Sequence, residues 1–66
     1  MSLINWHQEI KEKDKEKYDQ MINEMLSIDN LDSRINICYD ILFHIQKEYP
    51  IFYPYLESEI KELTLA

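Results

Sequence analysis

Sixty-six residues with no glycine, two prolines and one cysteine make one domain at most, near the size below which a single core rarely suffices. They also leave almost nothing for the positive-φ hairpin turns an all-β fold needs. Thirteen acidic against seven basic residues give a net charge of −6, which opposes direct binding to nucleic acid or anionic lipid. The lone Cys38 excludes an internal disulfide and no Cys/His spacing fits structural zinc, so the expected remedy for a small core is self-association.

In chain order, Asn5 with Gln8 resembles a capping-box start, and Leu3, Trp6 and Ile10 recur at helical spacing. Tyr18, Met21, Ile22, Met25 and Ile28 then line one helix face, with Asp19, Asn23 and Glu24 away from it. Between them His7, Lys11, Asp14 and Lys15 occupy the phase that should be apolar. Either one long helix projects a solvated segment or two helical pieces meet near Asp14. Strong helix formers without glycine or proline favour one long first helix over about 5–28. The run KEKDKEK at 11–17 reads as a solvated face with local ion pairs.

Asp29, Asn30 and Asp32 supply caps for a second helix over about 30–48. Pro50 stops it by pushing Tyr49 out of the α region, and Lys47 suits its C-terminal dipole. Within it, Ile35, Ile37, Tyr39, Ile41, Phe43 and Ile45 alternate as a strand would. Leu31, Ile35, Cys38, Leu42, Ile45 and Tyr49 instead follow a heptad seam. Helix is preferred because twelve residues exceed the usual strand length of about five or six and no second strand exists to pair with; an intermolecular strand is the alternative. As a helix, its polar arc holds only Ser33, Asn36, Asp40, His44 and Lys47, so it should be central and still carry surplus apolar surface. The surplus assigns Ile37, Tyr39, Ile41 and Phe43 to self-association.

YPIFYP then forms a stiff aromatic turn, and Pro54 opens a third, short helix over about 54–64. Phe52, Leu56, Ile60 and Leu63 form its apolar side, with Glu57, Glu59 and Glu62 around the rest. Of the aromatic residues, Trp6, Tyr53 and Tyr55 are candidates for binding another protein, since aromatics bury much area at little entropic cost. Tyr49 and Phe52 read as core.

Asp40, His44 and Glu48 stand at i, i+4 and i+8, an arrangement able to hold a divalent metal, but bundle metal sites converge from two or more helices. No metal or cofactor is therefore assigned, and this trio is the alternative. Cys38 and His44 lie about 120° apart around a helix and cannot form a nucleophile pair. No phosphate loop, nucleophile elbow or zincin motif occurs, so no catalytic residue is assigned. Neither a signal-peptide pattern nor an apolar run of about 18 residues is present, and one unpaired thiol suits a cytoplasmic protein.

These observations together predict an all-α, three-helix domain over residues 1–66, a homodimeric bundle with a central apolar second helix. Its expected role is a non-catalytic interaction or regulatory module, a small adaptor or inhibitor that binds another protein and neither nucleic acid nor membrane. The alternatives are a metal- or ligand-binding bundle and an acidic mimic of DNA.

Overall fold

A computed structural model describes residues 4–65 and contains three helices, α1 (Glu12–Leu26), α2 (Leu31–Glu48) and α3 (Tyr53–Leu65), with no strand among the described residues. The helical period therefore prevails over the strand period in residues 35–46. Leu3, counted above with Trp6 and Ile10, lies outside the described residues.

The expected first helix over about 5–28 is corrected at both ends: it spans Glu12–Leu26. Upstream, residues 4–11 form an irregular arm closed by a turn in which Ile10 N donates to His7 O at 3.1 Å. The arm buries Ile4 and Ile10 and packs Trp6 against the core. In a continuous helix Ile4 and Trp6 would lie roughly 200° apart, and both could not reach one core. Burial of these apolar groups outweighs helix propensity here. From Glu12 onward the charged run is helical and solvated, with Lys15 paired to Glu12 at 3.4 Å.

Nothing local caps the start of α1. Lys11 is the N-cap residue and makes no side-chain cap bond, though Glu12 and Asp14 in the first turn suit the helix dipole. The missing cap comes from the far end of α2. Tyr49 Oη accepts from Lys11 N at 3.3 Å and donates to Asp14 Oδ2. Tyr49→Phe removes both bonds, and a loss of about 1–2 kcal/mol is expected; urea unfolding measures it, and a loss below about 0.3 kcal/mol would refute the capping role.

The other end of α1 is closed by the single arginine. Arg34 Nε donates to Ile28 O at 2.6 Å and its Nη2 to Leu26 O at 3.2 Å, so a cation sits at the negative end of the helix dipole. These bonds end α1 before Ile28. Asn30 then caps α2 as expected, its Oδ1 accepting from Ser33 N at 3.1 Å, and Asp32 and Lys47 occupy the first and last turns. At Tyr49 the backbone leaves the helix with φ −134° and ψ 60°, as Pro50 requires.

α2 packs against both α1 and α3, while α1 and α3 touch least, so α2 is central. The core is made by Tyr18, Ile22 and Met25 of α1, Cys38, Ile41, Leu42 and Ile45 of α2, and Leu56, Ile60 and Thr64 of α3, closed by Ile4 and Ile10. On α3 the buried row is 56, 60 and 64, and Leu63 is only half-buried. Thr64 reaches the core without a desolvation cost because its Oγ1 donates to Ile60 O at 2.8 Å and also lies 3.2 Å from Met25 Sδ.

Candidate functional site

Among the described residues no helix is long and apolar enough to cross a membrane, and no group of three or more His, Cys, Asp or Glu side chains is placed to hold a metal ion. Asp40 and Glu48 are exposed, whereas His44 turns inward. Its Nδ1 meets the hydroxyl of Tyr18, and the two rings pack edge to face at 5.4 Å. Burial pushes the Tyr18 phenol well above its ordinary value of 10.0, and the nearby Asp14, Tyr49 and Glu48 push it further. The phenol thus keeps its proton and is held in a hydrogen bond with Nδ1. His44 is thereby a core hydrogen-bond partner, and the trio does not converge.

The interaction candidates divide differently from the sequence expectation. Trp6 is half-buried, its ring 5.4 Å from that of Tyr18 and its Nε1 donating to Asp19 Oδ1 at 2.9 Å, so it serves the core. Ile41 is completely buried and Ile37 half-buried against the core, which removes Ile41 as a contact for a second copy. A three-to-four spacing cannot distinguish a helix's two apolar flanks, and here α1 takes the flank carrying Ile37 and Ile41.

Tyr39 and Phe43, by contrast, are 62% and 70% exposed. With half-exposed Leu31 and with Ile35 they form a row at i, i+4, i+8 and i+12, a ridge along the α3-facing flank of α2. Beside this ridge runs an open furrow. At one end Tyr39, Phe43 and Gln46 face Tyr53 and Glu57, and at the other Ile35 and Cys38 face Thr64 and Leu65; Tyr39 and Lys61 border both ends.

The α3 wall of the furrow is polar and internally bonded. Tyr53 Oη donates to Glu57 Oε2 at 2.6 Å, and Lys61 Nζ stands 3.7 Å from the same oxygen. The Glu57 hydrogen bond, with burial second, raises the Tyr53 phenol above its ordinary value. Lys61 and Leu65 escaped the sequence reading, and Glu57 entered it only as part of the polar side of the third helix. Their signal is positional: each follows by one residue a member of the buried row 56, 60 and 64, and so borders the core on the flank opening toward α2.

Tyr55 is 68% exposed and Ile51 79%, both near the α2–α3 turn and outside the furrow. Phe52 stacks on His7 of the arm at 4.2 Å. Compared with protein-family models, curated proteins and solved structures, the chain matches none.

Proposed function

We propose that this chain is a non-catalytic protein–protein interaction or regulatory module, a small cytoplasmic adaptor or inhibitor that self-associates through α2. The observation that carries the reading is the ridge of Leu31, Ile35, Tyr39 and Phe43, a row of aromatic and aliphatic side chains left outside the core. Scattered exposed hydrophobics need no explanation, but a contiguous row containing two large aromatics is characteristic of binding surfaces.

Tyr53 and Tyr55 remain the candidates for contact with another protein, the first beside the furrow and the second on the turn. The buried free thiol of Cys38 suits a reducing compartment. Acidic charge favours protein partners with basic rims and speeds their encounter. Sedimentation equilibrium on the intact chain tests the self-association: a dimer mass at high micromolar concentration is expected, and a monomer mass throughout that range overturns it.

A further inference from the structure

The α2 ridge by itself is a small contact. At about 150–250 Å² for a fully exposed aromatic side chain, Tyr39 and Phe43 together present roughly 250 Å², whereas a stable interface takes about 800 Å² from each partner. Leu31 and Ile35 do not close that gap. The furrow's other wall enlarges the contact, because Leu65 is 73% exposed and Tyr53, Glu57 and Lys61 extend the rim along α3.

Resting on the self-association reading above, we infer that the second copy is received in the α2–α3 furrow, its own ridge of Ile35, Tyr39 and Phe43 seated against Leu65 and Lys61 as well as against α2. The ridge has i+4 spacing, and a groove flanking such a ridge has the same pitch, so two copies related by a two-fold axis interdigitate. The Cα trace is only 15 Å across its shortest extent, about two helix layers at the usual 8–10 Å separation. α1 and the arm cover one side of the α2–α3 pair, and the second copy covers the other.

The rim of the furrow carries charges of both signs. The furrow is bordered by Asp40 and Glu57 on one hand and Lys61 on the other, so a two-fold copy brings a lysine to a carboxylate-bearing rim as well as carboxylates to a lysine.

Sedimentation equilibrium on the full chain and five variants tests the inference, with circular dichroism confirming that each is folded. Phe43→Lys, Leu65→Lys and Lys61→Glu are each expected to raise the dimer dissociation constant about tenfold or more. Ile51→Lys and Tyr55→Lys, on the turn, are expected to leave it within about threefold. If the wild type dimerises and Phe43→Lys weakens it while Leu65→Lys and Lys61→Glu do not, the α2 reading stands and the furrow is refuted. Weakening by the turn variants alone refutes the furrow while leaving self-association intact. A monomeric wild type refutes both.

Discussion

Ile41→Asp leaves the chain unfolded at neutral pH, whereas Phe43→Lys, two residues along the same helix, keeps its fold and full helical signal. Ile41 has no exposed surface, and the buried core it belongs to, with Tyr18, Ile22, Met25, Ile45, Leu56 and Ile60 among its members, holds no cation to meet a carboxylate. An unpaired buried charge costs several kcal/mol beyond the lost apolar contacts. A domain of this size has only about 3–10 kcal/mol of stability in total. Phe43 is 70% exposed, and a charge there stays in water. Far-UV circular dichroism with urea titration of both variants is the measurement. A folded Ile41→Asp protein with weakened association would show that Ile41 belongs to the interface instead of the core.

Stability falls above pH 10, and Tyr18 is the principal cause. Its phenol is buried and hydrogen-bonded to His44, and its folded pKa lies above the ordinary value of 10.0. The group is therefore neutral in the fold at a pH where it ionises in the unfolded chain. A raised pKa contributes stability that is fully present below 10.0 and is lost as pH climbs from there toward the folded value. The slope approaches about 1.4 kcal/mol per pH unit for one such group, so roughly 1.4 kcal/mol disappears by pH 11. Tyr49, raised by burial and by its bond to Asp14, and Tyr53, raised chiefly by its bond to Glu57, act in the same direction. Urea unfolding from pH 8 to 11 should show Tyr18→Phe less stable than wild type at pH 8 but with a shallower alkaline decline. Parallel declines in the two proteins would remove Tyr18 from the account.

Local chemistry carried the middle and end of the chain. Asn30 and Pro50 bracket α2 because a cap and a stop act within a few residues, and both were legible. The arm was not legible because its conformation is decided by contacts distant in sequence. Trp6 finds Asp19 and Tyr18, Lys11 finds Tyr49, and His7 finds Phe52, none of which a period of three or four can register. The same limit explains the surface. Periodicity identified α2 as more apolar than one neighbour needs, but only the placement of α1 and α3 decides that Ile41 is inside and Tyr39 and Phe43 are outside. His44 is the sharpest example: its spacing to Asp40 and Glu48 suggested a ligand, and its phenol partner lies 26 residues away on α1.

The Tyr49 hydroxyl at the start of α1 also bears on the order of assembly. α2 holds its own start through Asn30 and has both dipole ends complemented, so it can nucleate from neighbouring residues alone. α1 has to wait until the chain has closed a loop of more than thirty residues before its first turn is secured. Interactions that form after the transition state slow unfolding more than they speed folding. Tyr49→Phe accordingly shows its effect mainly as a faster unfolding rate, and the hydroxyl serves as a latch that fastens an already assembled bundle.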